Sequence, residues 1–225
     1  MDDIVLAIES GVAGGSLALF RGRQLAASWS DSGSAGKSEA LLSQIEALLE
    51  REGVHRSSLS TIAVSIGPGS YTGIRIGIAT ALGLSKALGI RMTGIPLLKA
   101  IANAVDETGP VLVAVPVGRK GLAWQTFAGS HVAQVEPAIE TGELTDLRDA
   151  IGKFAHGTAL LHSDLFEALQ TTNADLPVSA EIKDIGRDLA AAIGAAPDSF
   201  DKGPVPLYAR EMSFPTLTGE RKVIR

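Results

Sequence analysis

Cysteine is absent from the 225 residues. That excludes disulfides, a thiolate nucleophile and thiolate metal sites. No stretch approaches the roughly 20 uninterrupted apolar residues that a membrane-spanning helix needs. The opening Met1-Asp2-Asp3 is acidic where a secretory leader would be basic, so the expectation is a cytoplasmic chain with no membrane association. Positive charge is also scarce. A net charge of -5 works against a stand-alone nucleic-acid binder, which needs a concentrated basic face to neutralise phosphates. The single basic cluster, Arg221, Lys222 and Arg225, reads as a solvated terminus. No serine sits in a GxSxG elbow, and the glycine loop Gly67–Gly73 does not end in Gly-Lys-Ser/Thr. His55, His131, His156 and His162 are scattered, and each reads as surface or structural.

What the chain does have is an apolar content of 45%, ample for one large or two small domains. Its organising stretch runs from Thr61 to Gly77. Thr61–Ile66 is apolar and β-branched, the pattern of a strand buried on both faces. Gly67-Pro68-Gly69-Ser70-Tyr71-Thr72-Gly73 breaks it, and from Ile74 the apolar spacing is helical until Gly89 supplies a left-handed stop. A glycine turn between strand and helix gathers free amides and the positive helix end at one point, so Gly67, Gly69, Ser70 and Gly73 are candidates for a phosphate loop. The spacing is GxGxxxG, which fits neither established phosphate fingerprint, and the same glycines also serve for a tight turn that brings helix and sheet together.

Around this stretch the pattern predicts three strands at Asp3–Ile8, Ser16–Phe20 and Leu25–Trp29, then an amphipathic helix over Ser38–Glu52 ended by Gly53. A strand near Met92–Ile95 and a helix begun by Pro96 and running to about Val105 follow the glycine loop and its helix. From Val111 the order starts again, with strands at Val111–Val117, Leu122–Ala128 and Val132–Val135, a helix over Leu144–Phe154 and a strand at Thr158–His162. Helices near Leu165–Leu169 and Ile185–Ile193 complete it. Two halves with one order predict a duplicated, two-lobed α/β fold, 1–107 and 108–225, divided at a polar break over Asp106–Pro110.

The string Gly67-Pro68-Gly69-Ser70-Tyr71-Thr72-Gly73-Ile74-Arg75-Ile76-Gly77 resembles the signature of the bacterial TsaB (YeaZ) family. Those proteins are the non-catalytic subunits of the machinery that makes threonylcarbamoyladenosine in tRNA. The resemblance extends to Ile4–Ser10, Ser38–Gly53 and the Pro-x-Tyr-x-Arg-like Pro206-Leu207-Tyr208-Ala209-Arg210, and is loose in the second half. It implies the actin-like ATPase (ASKHA) fold, in agreement with the duplicated order. It also implies a TsaD-like catalytic partner and a TsaE-like ATPase, with tRNA met only through the complex and homodimer formation when the chain is alone. No tightly bound cofactor is expected, and ATP or ADP has a place only at the joint interface. Residues 30–52 lack the HxxxH pair that the catalytic sister subunit carries, so no metal is expected. The chain departs from the family pattern at Glu9, where aspartate is commoner, at Lys37, where a histidine is common, and at Val117-Gly118-Arg119-Lys120, where Asp-Ala-Arg-Arg is usual.

With reactive groups missing, surface for a partner remains. Gly73, Gly77, Ala81, Ser85 and Gly89 fall at successive i,i+4 positions and form a stripe of small side chains that a helix can approach closely. The stripe receives either the chain's own Ser38–Glu52 helix or a partner. In the resembled family these two helices form the pairing face. The interface expected is therefore Leu41, Leu42, Ile45, Leu48, Arg75, Gly77, Ile78, Ala81, Leu82 and Ser85, with Leu41, Ile45, Ile78 and Leu82 as an apolar patch. The competing readings are a small-molecule kinase or ATPase of the same fold, using Glu9 and the Gly67–Gly73 loop, and a metal-dependent glycoprotease.

Overall fold

The structure, a computed structural model, describes residues 3–31, 40–118, 121–128, 138–154, 157–172, 180–196, 198–208, 212–215 and 221–224. Its first sheet contains β1 (Ile4–Glu9), β2 (Ser16–Arg21), β3 (Gln24–Ser30), β4 (Thr61–Gly67) and β5 (Arg91–Pro96), in the order β3-β2-β1-β4-β5. β1, β2 and β3 form an antiparallel meander, and β4 and β5 join in parallel. The second sheet contains β6 (Val111–Val117), β7 (Gly121–Phe127), β8 (Glu140–Gly142), β9 (Thr158–Leu161) and β10 (Glu181–Asp184), in the order β10-β9-β6-β7-β8. Read from the other edge, that is the same topology with the same strand senses. The duplication predicted from chain order is thus present in the strand pairing itself.

Among the described residues six helices cover the sheets: α1 (Leu41–Arg51), α2 (Tyr71–Leu88), α3 (Leu97–Ala104), α4 (Leu144–Lys153), α5 (Ser163–Thr171) and α6 (Ala190–Ala195). Alternation along the strands assigns each side chain to a layer. Leu6, Ile8, Leu17, Leu19, Ile62 and Val64 face outward into a core completed by Leu41, Ile45 and Leu48 of α1 and Ile74, Ile78 and Ala81 of α2. Leu112, Ala114, Trp124 and Leu161 face outward from the second sheet onto Leu147 and Ile151 of α4 and Leu165 and Leu169 of α5. Between the sheets, Ala7, Ala18, Phe20, Val113 and Leu160 meet Leu97 and Ile101 of α3 and Ala190 and Ile193 of α6. The small residues here let α6 lie close: an added methyl group at Gly194 would overlap the Phe20 ring. α6 rests on β1 and β2, the first sheet, although it belongs to the second half of the chain. Division at 107/108 therefore separates two halves that complete one another's middle layer.

Several predicted elements shift. The helix expected over Ile185–Ile193 is confined to Ala190–Ala195, because residues 181–184 form β10, a strand that its single apolar residue hides in the sequence. The third strand of the second half is β8, while the Val132–Val135 segment lies outside the described residues. After α6, a short 3-10 turn at Asp198–Phe200 leads a strap back across the first sheet, where the Lys202 amide donates to the Gly94 carbonyl at 2.8 Å and the Leu207 amide to the Ile66 carbonyl at 2.7 Å. Met212–Pro215 and Arg221–Ile224 pair as an antiparallel ribbon, β11 and β12.

Candidate functional site

The glycine loop between β4 and α2 packs directly against the turn between β1 and β2. Ser70 caps α2, its Oγ accepting from the Gly73 amide at 3.1 Å, and Gly89 ends the helix at φ +68°. The Ser70 amide donates to the Gly11 carbonyl at 2.6 Å. An added Cβ at Gly69 would lie 2.8 Å from the Gly11 α-carbon, and one at Gly73 would overlap the Ser10 carbonyl oxygen. The Ser10 hydroxyl lies in the small-residue groove of α2, donating to the Gly73 carbonyl at 2.8 Å and occupying the space that a side chain at Gly77 would need. Gly69, Gly73 and Gly77 are thus required by close approach within the chain. Gly67, at φ +109°, has the carbonyl of Leu207 2.5 Å from where a Cβ would stand, so the strap closes its other side.

The acceptor for the β1–β2 turn is internal. Glu9 is fully buried, and its carboxyl accepts from the Gly11 amide at 2.6 Å and the Val12 amide at 3.2 Å. Burial pushes its pKa up to about 7, against the opposing pull of the Gly11, Val12 and Ser10 amides. An ATPase of this architecture seats phosphates on such a turn and on the facing glycine loop. Here the Gly11 and Val12 amides already serve Glu9, and the Gly11 and Gly69 backbones are in contact. The residues present do not fit a nucleotide phosphate at this point.

Among the described residues no group of three histidine, aspartate or glutamate side chains could hold a metal ion. His55 caps the short 3-10 turn Arg56–Ser58, its Nδ1 accepting from the Ser57 amide at 3.3 Å, and His162 caps α5, its Nδ1 accepting from the Asp164 amide at 3.2 Å. His162 is buried, and that burial lowers its pKa and favours the neutral acceptor form. His131, His156, Lys37, Arg119 and Lys120 lie outside the described residues.

The expected interface divides into two sets. Leu41, Ile45, Leu48, Gly77, Ile78 and Ala81 are buried in the chain's own outer core, and the apolar patch expected from Leu41, Ile45 and Ile78 is corrected accordingly. Those side chains face β1, β2 and β4, whose outward apolar side chains complete the same core. Leu42, 53% exposed, and Arg75 face solvent, while Leu82 and Ser85 are half-buried, Ser85 donating to the Ile90 carbonyl at 2.6 Å. The small-residue stripe receives neither α1 nor an open surface at its N-terminal end, but Ser10.

One feature of this face has no counterpart in the sequence reading. Tyr71 at the start of α2 and Tyr208 of the strap stack with ring centroids 5.1 Å apart, and the Arg75 guanidinium lies 3.8 Å over the Tyr71 ring. Arg75 Nε donates to the Tyr208 hydroxyl oxygen at 3.0 Å, which raises the guanidinium pKa further. The motif around Tyr208 was the available signal, but nothing in it named Tyr71 as the partner.

A family model described as TsaD, tRNA N6-adenosine threonylcarbamoyltransferase, matches residues 33–198. The TsaB protein of Buchnera aphidicola from Schizaphis graminum, a tRNA threonylcarbamoyladenosine biosynthesis protein, is 33% identical over 156 residues, which is 68% of this chain and 71% of that protein. The chain belongs to the TsaB (YeaZ) family. YeaZ of Pseudomonas aeruginosa superposes with a TM-score of 0.61 at 17% identity, covering 92% of this chain and 99% of that one, so the two share the two-lobed, actin-like fold. An uncharacterised protein of Mycobacterium leprae is 32% identical over 158 residues, 70% of this chain, and the chain spans 39% of that relative's length. Family membership accounts for the Gly67–Gly77 signature. It does not account for Glu9, whose longer side chain folds back onto its own turn.

Proposed function

We propose that the chain serves tRNA threonylcarbamoyladenosine biosynthesis as a non-catalytic subunit, binding and supporting a TsaD-like catalytic subunit that works with a TsaE-like ATPase. The observation that carries this reading is the closed pair of loops. Glu9 takes the amides of the β1–β2 turn and Gly69 rests on Gly11, so the place where a relative would hold phosphate is filled by the chain itself. A rigid face is left beside it. α2 is fixed along one side by Ser10 and at its start by the strap, and presents Tyr71, Arg75 and Leu82 outward, with Leu42 on α1. Aromatic and arginine side chains held in place contribute most of the binding energy in typical interfaces. The role follows from rigidity: a preorganised face orients the catalytic subunit without ordering cost at the moment of docking. The kinase or ATPase alternative needs the Gly11 and Val12 amides for phosphate and so requires Glu9 to leave its buried position.

Mixing the purified chain with a TsaD-like subunit tests the proposal. Co-elution in size-exclusion chromatography is expected, and independent elution at micromolar concentration would overturn it.

A further inference from the structure

Glu9 is a buried acid, and a chain of hydrogen bonds joins it to the face that α2 presents. It ends β1 with no exposed surface, and its carboxyl accepts from the Gly11 and Val12 amides of the turn that follows. Between Glu9 and Gly11 stands Ser10, whose hydroxyl donates to the Gly73 carbonyl of α2 at 2.8 Å. The Gly11 carbonyl accepts at 2.6 Å from the amide of Ser70, the residue that caps α2. The first helical turn of α2, which carries Tyr71 and Arg75, is thus held at two points by the β1–β2 turn that Glu9 organises. A carboxyl shut away from water, with no cation to offset its charge, keeps its proton more firmly than an exposed one. The elements packed on β1 carry Arg21 on β2, Arg75 and Lys86 on α2 and Asp188 just before α6, and Asp31 stands against Gly14 of the turn. None of these charges is among the causes of the raised pKa of Glu9, which burial drives against the pull of the turn amides. Loss of the proton therefore leaves an uncompensated charge inside the chain, and the turn relieves it by swinging out so that water reaches the carboxylate. That movement withdraws Ser10 from the α2 groove and Gly11 from Ser70.

We propose that Glu9 is a proton-operated latch on the docking face: neutral, it holds the turn against α2, and ionised, it releases the turn, loosens the start of α2 and weakens binding of the TsaD-like subunit. The inference rests on the docking role above and adds a pH dependence that resides in this chain. A carboxyl that ionises near 4.5 when exposed and near about 7 when enclosed favours release up to about 300-fold more at alkaline than at acid pH. A partner that docks only on the closed form loses affinity in proportion to the closed fraction.

Calorimetric titration of the full chain with a TsaD-like subunit at about pH 6 and about pH 8.5 tests the latch. The natural chain should bind about fivefold or more weakly at the higher pH, whereas Glu9→Gln, which cannot ionise, should bind with nearly the same affinity at both. The partner's own titrating groups act on both titrations alike, so the difference between the two chains belongs to Glu9. A fall shared in full by Glu9→Gln, or no fall in the natural chain, would overturn the latch and leave docking standing. Absence of binding at both values would overturn docking and the latch with it. Amide hydrogen exchange of the natural chain alone reads the same event without a partner or a substitution. At about pH 8.5, corrected for intrinsic exchange, the Gly11, Val12 and Ser70 amides should be about tenfold or more less protected than the Val64 amide in β4. Equal protection of the turn and β4 amides at that pH, or turn protection unchanged from about pH 6, would contradict a turn that opens by itself.

Discussion

Gly69 lies against Gly11 so closely that a methyl group added at position 69 would stand 2.8 Å from the Gly11 α-carbon. Two loops that separate in order to hold phosphate in an ATPase are here a single packed unit. Gly69→Ala and Gly73→Ala should each destabilise the chain by about 3 kcal/mol, because backbone rather than a movable side chain stands in the way. Chemical denaturation measures this, and a loss under about 1 kcal/mol would show that the loops can part.

Glu9 makes stability depend on pH with a definite sign. Its carboxyl ionises near 4.5 in an unfolded chain and near about 7 when folded. Between those values the folded state holds a proton that the unfolded state has released, so stability is greatest below the window and falls as pH rises through it. The full loss is of the order of 3 kcal/mol. Comparing denaturation midpoints at about pH 5 and about pH 8 for the natural chain and Glu9→Gln isolates this contribution. The variant should lose most of the fall, and stability that rises with pH across the window would contradict the assignment.

Much of this arrangement is legible in the sequence, and the parts that are not have physical reasons. The run Thr61–Ile66 must be a strand buried on both faces, and Ser70 and Gly89 mark the two ends of α2 by capping chemistry alone. The repeated element order becomes the repeated sheet order. β10 escapes and the bounds of α6 are misplaced, because four residues with one apolar side chain, and six that are mostly alanine, carry no usable period. Periodicity puts Leu41 and Ile45 on one apolar stripe of α1 and Ile78 in the apolar spacing of α2, but does not show that these faces turn inward. The occupant of the α2 groove was further out of reach, since Ser10 comes from 63 residues away. The burial of a carboxylate at Glu9 has no local signature at all.

Arg75 and Tyr208 meet at the surface, so their loss should be felt in binding more than in folding. Arg75→Ala should leave the unfolding midpoint nearly unchanged, because an exposed contact of this kind contributes little to stability. Its affinity for a TsaD-like subunit should drop by about tenfold or more, read by calorimetry or surface capture. Unaltered affinity would place the docking face elsewhere on the chain.

Calorimetric titration of the isolated chain with magnesium ATP should give no binding heat at micromolar concentrations, since the turn amides are occupied by Glu9. Saturable binding accompanied by turnover would favour the kinase or ATPase reading.

Reconstitution tests the central claim most directly: threonylcarbamoyl transfer to tRNA by TsaD-like and TsaE-like subunits, measured while this chain is added in increasing amount. Activity should rise and level off when the chain matches the TsaD-like subunit in number, and Glu9→Gln should support it as well as the natural chain. Full transfer without the chain, or nucleotide hydrolysis by the chain alone that is lost on changing Glu9, would contradict a docking role built on a closed phosphate site.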